Sequence, residues 1–480
     1  MRDRLPPQVV VGAVFVAGMF MNIMDVTIVN VALPALADDF DVGTSSIDWV
    51  VVGYLLSLAA FIPASGWIGD RFGTKRTFLV ALAVFTSASA LCGMATSLPQ
   101  LIAFRVLQGA GGGMLTPVGT AMLFRAFPPE QRARAARILM IPTVTAPALG
   151  PIVGGLLVDK LSWHWIFIVN VPIGIAVFAF GAVFLHEHRE PRAGGFDLPG
   201  FVLSGGGLAL VLYALGQGPI KGWGSAGVVF AGASGVVAFA ALVLVELRTR
   251  YPMLHLRLLG NRLFRATNVA ALFGYGSFIG FLFLMPLFLQ EARGLSALDS
   301  GLTTFPEAIG VLVSSQIVGR IYGTIGPRRL MAGGLTAVAC TLAVGSLLEL
   351  DTNLWLVRLL MFVTGAGMAF VFVPLQAATF ATITPADTGQ ASAIFSTQRQ
   401  VAAALGVAIL ATVLSVRLPG GDVVAGTDQV SAFHGAFLVG GALALIGALA
   451  SLVIRDSDAA PTMRPRQASA ADPVPLAVTD

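Results

Sequence analysis

Fourteen stretches of about 20 apolar residues divide this chain, and few folds can accommodate runs of that length. Without water, every backbone N–H and C=O must be satisfied internally, which leaves helices or closed barrels. A barrel strand spans in about ten alternating residues, so unbroken apolar runs twice that long predict helices. The runs fall at 9–34, 48–68, 77–96, 99–124, 137–158, 164–185, 198–216, 226–246, 264–289, 301–322, 330–349, 354–376, 391–416 and 433–454. With 11% charged residues and a mean hydropathy of +0.84, the chain lies far below the roughly 25% charge of a soluble domain. It reads as an all-α polytopic membrane protein.

Basic residues set the expected orientation. With the N-terminus in the cytoplasm, Arg2, Arg4, Arg71, Lys75, Arg76, Arg132, Arg134, Arg137, Arg248, Arg250, Arg328 and Arg329 fall on the cytoplasmic side. Lys160, Lys221, Arg293 and Arg417 fall outside, and Arg105, Arg358 and Arg399 lie within spans. An even number of spans returns the C-terminus to the cytoplasm. The net charge of +4 is thus sorted by membrane side and does not point to nucleic acid. The first run is of full span length and contains an Asp, unlike the short core of a cleavable leader. From Arg455 onward the chain is rich in Ala, Pro and polar residues, and residues 456–480 read as a disordered cytoplasmic tail. Cys92 and Cys340 each stand alone in apolar sequence and the five His are scattered, so no disulfide, metal site or cofactor is expected.

Asp25 is the one charge within residues 9–34. Insertion scales put the cost of a carboxylate at a helix centre at roughly 2.5–3.5 kcal/mol, and chains keep such groups where they face a polar pathway. Asn22 lies one turn away on the same face. Arg105 and Gln108 share a face of the fourth run, and a permanently charged Arg there needs a carboxylate or a wet cavity; a purely structural ion pair would also satisfy it. Glu307 lies about 9 Å into the tenth run and Asp25 about 14 Å from its own outer end, so the two acids could share one cavity, or Glu307 could face the headgroups. Arg399, in the thirteenth run, is expected to face the cavity or find a partner.

The chain repeats itself. GWIGDRFGTKR (Gly66–Arg76) returns as GRIYGTIGPRR (Gly319–Arg329) at an offset of 253, the offset that also relates Arg105 to Arg358. Pro117 and Pro128 match Pro374 and Pro385 at 257. Two halves of six spans follow, 1–190 and 261–455, with an inserted pair and linker over 191–260. In the first copy Gly69 and Gly73 permit a tight turn. Asp70 there can pair with a nearby Arg or accept from helix N-terminal amides, latching the halves. In the second copy Gly323 replaces the acid, so any latch is one-sided. Arg71, Lys75 and Arg76 could simply enforce topology.

Four motifs in order carry a family resemblance: MDVTIVNVALP (Met24–Pro34), the loop motif Gly66–Arg76, LIAFRVLQGAGGG (Leu101–Gly113) and APALGPIVGG (Ala146–Gly155), with WHWIFIVNVPIG (Trp163–Gly174) continuing the pattern. Over nearly its whole length the chain resembles the fourteen-span drug:proton antiporters of the major facilitator superfamily. The resemblance implies two six-helix bundles plus two inserted helices, and proton-coupled export of amphipathic, cationic or lipophilic compounds by alternating access. It implies that Arg105 takes part in proton coupling; from their own placement Asp25 and Glu307 are expected to couple protons with it, and Asn22, Asp25, Gln108, Glu307 and Arg399 to line the substrate cavity. Gly66, Gly69, Asp70, Arg71, Gly73, Lys75 and Arg76 would form the latch. Gly150, Pro151, Gly154 and Gly155 would form the antiporter motif, with the two glycines at its end admitting a neighbouring helix.

The expected partners are a small-molecule substrate, protons and membrane lipid, for a chain acting as a monomer in the cell membrane. An importer of a small metabolite shares the same fold and stays open as an alternative. A membrane-embedded enzyme would need clustered His, Asp, Ser or Cys, and no phosphate-binding glycine loop with its Lys is present to drive transport by ATP.

Overall fold

The structure, a computed structural model, describes residues 5–190, 194–417 and 427–463, and no strand occurs among them. Helical units occupy all of the predicted positions. The first six are α1 (Pro7–Asp39), α2 (Trp49–Phe72), α3 (Thr74–Cys92), α4 (Leu98–Ala126), α5 (Arg132–Lys160) and α6 (His164–Phe184). Then come α7 (Leu198–Lys221) and α8 (Ala226–Arg248), followed by α9 (Arg262–Leu287), α10 (Leu298–Ile325) and α11 (Pro327–Gly345). The last three are α12 (Leu354–Thr379), α13 (Thr388–Arg417) and α14 (Thr427–Ser451). Among the described residues, 12 helical segments are long and apolar enough to cross a membrane. The helices outside that set are α4, whose apolar run is diluted by Arg105, Gln108 and glycines, and α11, which spans 19 residues and opens on Pro-Arg-Arg. For these two, a crossing rests on their place in the bundles: α4 packs on α2 and α3, and α11 on α12 and α14.

The sequence repeat is also a packing repeat. The pairings α2–α4, α3–α4 and α1–α5 of the first half recur as α10–α12, α11–α12 and α9–α13 in the second. The halves meet through α2–α13, α4–α13, α5–α10 and α5–α12. The inserted pair α7–α8 is seated with α7 against both α2 and α13. Trp49 stacks on Tyr213 at 6.3 Å, and the Trp223 indole donates to Thr412 Oγ1 at 2.9 Å. The pair therefore lies along one lateral seam between the halves.

Two expectations are corrected by the packing. The tail does not leave the protein at Arg455: Ile454, Ala459 and Thr462 are buried, and Ala460–Met463 forms a helical turn against α10. Its Ala- and Pro-rich composition reads as solvated, yet its small residues pack against α10 and Pro129–Gln131. The remainder of the expected tail, 464–480, lies outside the described residues. In the antiporter motif, α5 crosses α1 closely at Gly150 and Gly154 but not at Gly155. A Cβ at Gly154 would lie 2.9 Å from Ile28 Cγ1, whereas nothing lies within 4 Å of one at Gly155.

That contrast gives a matched test. Gly→Ala gains roughly 1 kcal/mol of helix propensity at either site, but crowding a packed interface costs about 1–3 kcal/mol. In detergent, Gly155→Ala is expected to raise the melting temperature of the purified protein and Gly154→Ala to lower it. Equal shifts would show that α1 and α5 do not meet this closely.

Candidate functional site

The first half carries a sealed polar cluster inside its apolar core. Asp25 on α1 and Arg105 on α4 face each other with Nη1 2.5 Å from Oδ2, both side chains 0% exposed. Gln108, one turn beyond Arg105, donates from Nε2 to Asp25 Oδ1 at 2.8 Å and accepts from Arg105 Nη1 at 2.7 Å. Asn170 on α6 donates to the same Oδ1 at 3.1 Å. Arg105 Nε reaches the Val50 carbonyl at 3.1 Å, and the guanidinium lies 4.0 Å above the Tyr54 ring. Five helices thus converge on one ion pair, since Ser89 and Cys92 of α3 hydrogen-bond Asn170 and Gln108 in turn.

The carboxylate is better satisfied than its surroundings. Arg105 Nη2, Asn22 Nδ2, Tyr54 Oη, Asn170 Oδ1 and Thr86 Oγ1 are buried without a hydrogen-bond partner. Asn22 and Tyr54 meet over Gly112, where a Cβ would lie 2.6 Å from Asn22 Nδ2 and 2.9 Å from Tyr54 Oη. Buried polar groups are costly to leave unpaired. This ring of spare donors and acceptors is therefore suited to water, protons or a ligand's polar atoms. Asn170, Tyr54 and the Val50 carbonyl were not singled out in the sequence. Asn170 had a signal, as the one amide in an apolar motif; a backbone carbonyl has none.

The other expected cavity residues are placed apart from this cluster. Glu307 is half-buried on α10, with its backbone packed on Gly365 of α12. Among the described residues it has no hydrogen-bond or ion-pair partner, and it is not among the groups touching Asp25. Depth along a helix does not say which face a residue is on. Arg399 is half-buried on α13, 5.9 Å above the Tyr275 ring of α9, with no carboxylate in ion-pair range among the described residues.

The loop motif forms a second site, at the end of the bundle carrying Arg71, Lys75, Arg76, Arg328 and Arg329. Asp70 Oδ1 accepts from Arg125 Nη2 at 2.9 Å, while Arg125 Nε donates to the Pro385 carbonyl across the halves at 3.0 Å. The Asp70 carboxylate also faces the first turn of α13: a Cβ at Gly389 would lie 2.6 Å from its Oδ1. An anion at a helix N-terminus is favourably placed. Gly66 lets α2 approach that same turn, and Gly69 is buried nearby. Gly73 turns the chain with φ +99°, a left-handed conformation that favours glycine.

Lys75 and Arg76 do more than set topology. Their backbone amides donate to Glu187 at 3.0 and 3.1 Å, and Lys75 Nζ caps the end of α6 through the Ala182 and Leu185 carbonyls, each at 2.7 Å. Arg71 is exposed. Beside this turn Phe124 stacks on Phe380 at 4.6 Å, Arg132 donates to the Phe380 carbonyl, and Arg137 donates to Gln316 at 3.2 Å. The halves are joined and closed at this basic end.

Breaking one side of a buried pair leaves an uncompensated charge and costs about 3–5 kcal/mol. Asp25→Asn and Arg105→Gln should each destabilise the purified protein by this much. The double variant should lose less than the sum, with a coupling of about 1–3 kcal/mol. Additive losses in thermal unfolding would mean the two charges do not interact.

Comparison with known proteins accords with this architecture. The Major Facilitator Superfamily profile matches residues 15–407 and 267–478. A multidrug resistance protein B homolog of Mycobacterium tuberculosis is 32% identical over 440 residues, covering 89% of this chain and 81% of the relative. The tetracenomycin C resistance and export protein of Streptomyces glaucescens is 33% identical over 407 residues, covering 85% and 75%. The crystal structure of a human organic anion transporter superposes with a TM-score of 0.69 at 16% identity, over 93% of this chain and all of that one, a likeness of fold alone. This chain is a multi-pass membrane transporter that belongs to the Major Facilitator Superfamily, with multidrug efflux proteins as its relatives.

Proposed function

We propose that the chain is a proton-coupled antiporter of the cell membrane that exports amphipathic, cationic or lipophilic compounds by alternating access. The observation that carries this reading is the sealed Asp25–Arg105 pair with unpartnered polar atoms around it. Asp25 cannot leave Arg105 without stranding a charge in the apolar core, so the pair opens only when something replaces the lost charge. A proton on Asp25 cancels the carboxylate and loosens its hold on Arg105, Gln108 and Asn170, and Arg105 must then meet water or another anion as the cluster opens. A cationic substrate group brought to Asp25 replaces Arg105 instead. Proton and substrate then exclude each other at one carboxylate, which suffices for exchange. The export direction is supported by the drug-resistance and export proteins among the relatives.

The basic end is read as cytoplasmic, which places both termini inside. The Asp70–Arg125 contact and the Phe124–Phe380 stack then close the inner side, and transport requires them to part while the halves rock. Both halves lie in one chain, so a monomer contains the complete cycle.

Reconstituted into liposomes with inverted orientation and an acidic lumen, the protein is expected to accumulate ethidium, and nigericin should abolish the accumulation. Ethidium concentrated equally well without any ion gradient would contradict proton coupling.

A further inference from the structure

The repeat is imperfect at one informative place. At the offset of 253, Gly323 on α10 stands where α2 has the latch acid Asp70. Asp70 faces the start of α13 across the halves; by the same symmetry, position 323 should face the start of α5. The structure shows what lies there. The turn Ala460–Met463 packs against α10 and against Pro129–Gln131, which leads directly into α5. Its last carbonyl rests on Gly323, where a Cβ would lie 2.8 Å from the Met463 oxygen. The glycine makes room for the tail.

Two further hydrogen bonds hold the segment. Thr462 Oγ1 donates to the Ala459 carbonyl at 2.7 Å, so its single hydrogen is used, and Tyr322 Oη donates to Thr462 Oγ1 at 2.7 Å inside the protein. Asp456 Oδ1 accepts from the Arg328 amide at 3.0 Å, at the glycine turn between α10 and α11 where Gly326 has φ +85°. Ala459 is fully buried. The first half has a counterpart to the Asp456 contact, since Glu187, just after α6, caps the amides of Lys75 and Arg76 beside Gly73. In both halves the chain leaving the sixth helix returns an acid to the glycine turn before the third. In the second half the chain then continues into a segment that reaches Pro129–Gln131 of the other half on the basic face.

We propose that Asp456–Met463 is the missing second latch: it bridges α10 and the entrance of α5 on the basic face, and it must leave Gly323 before that face can open. The inference rests on the alternating-access reading, with the acid of the first latch replaced in the second by a carbonyl and a buried Tyr–Thr hydrogen bond.

The test is a spin-label distance measurement on full-length protein in lipid nanodiscs. Labels go at Arg71→Cys and Arg329→Cys, both exposed on the basic face, in a background lacking Cys92 and Cys340. Deleting residues 456–480, or crowding the seat with Gly323→Val, should raise the long-distance population about fivefold, as expected for losing roughly one buried hydrogen bond. Deleting only residues 464–480 should leave it unchanged. Asp70→Asn, which loosens the first latch, supplies the reference shift. If Asp70→Asn shifts the distribution while neither tail variant does, the tail is no latch, though the halves still alternate. If no variant, Asp70→Asn included, gives a longer distance, alternating access on this face fails and the tail inference fails with it.

Discussion

The polar cluster in the core of the first half is organised around one buried ion pair. Asp25 and Arg105 lie where neither charge can reach water, so each depends on the other and on the amides and carbonyls brought to them. That dependence explains why five helices converge there: α1 and α4 supply the charges, α2 the Val50 carbonyl and the Tyr54 ring, α6 the Asn170 amide, and α3 the side chains that hold Gln108 and Asn170. It also makes the cluster two-sided. On the proposed reading, a proton on Asp25 would weaken its contacts with Arg105, Gln108 and Asn170, and the helices that carry them would feel it. A well-buried pair is not a strong source of stability in itself; its retention in an apolar core fits a switch better than a brace.

The basic end shows how such a switch can reach the other half. α4 carries Arg105 near one end and Arg125 in its last turn, and Arg125 joins Asp70 to the Pro385 carbonyl across the halves. One helix thus connects the buried pair with the contacts that join the halves at the basic face. The inserted helices α7 and α8 fit the same picture, because α7 rests on both α2 and α13 and so touches both sides of that seam. Lys75, Glu187 and Asp456 pin the short turns at the ends of neighbouring helices.

Much of this was legible in the sequence, and what was not has definite causes. Span positions follow from apolar length, and the two halves follow from anchors at a nearly constant offset. The Asp25–Arg105 relation could be anticipated because charges inside spans are few and must pair. The pathway expected at Asp25 was not visible as such: the carboxylate is sealed behind Arg105, with unpartnered atoms of Asn22 and Tyr54 beside it. Glu307 illustrates the limit of one-dimensional reasoning, since matching its depth to Asp25 said nothing about facing. The docked tail was missed because composition reports solubility, whereas docking depends on a glycine at 323 and on one Tyr–Thr hydrogen bond. Gly155 was grouped with Gly154 because they are adjacent, although adjacent helical residues point about 100° apart.

The central claim is that one carboxylate exchanges a proton for substrate, and proton release on binding tests it most directly. Ethidium added to purified protein in weakly buffered detergent, with a pH indicator, should release protons in proportion to the dye bound. Asp25→Asn, still folded, should bind the dye far more weakly and release no protons. Equal proton release from wild type and Asp25→Asn would place the coupling group elsewhere and contradict the account.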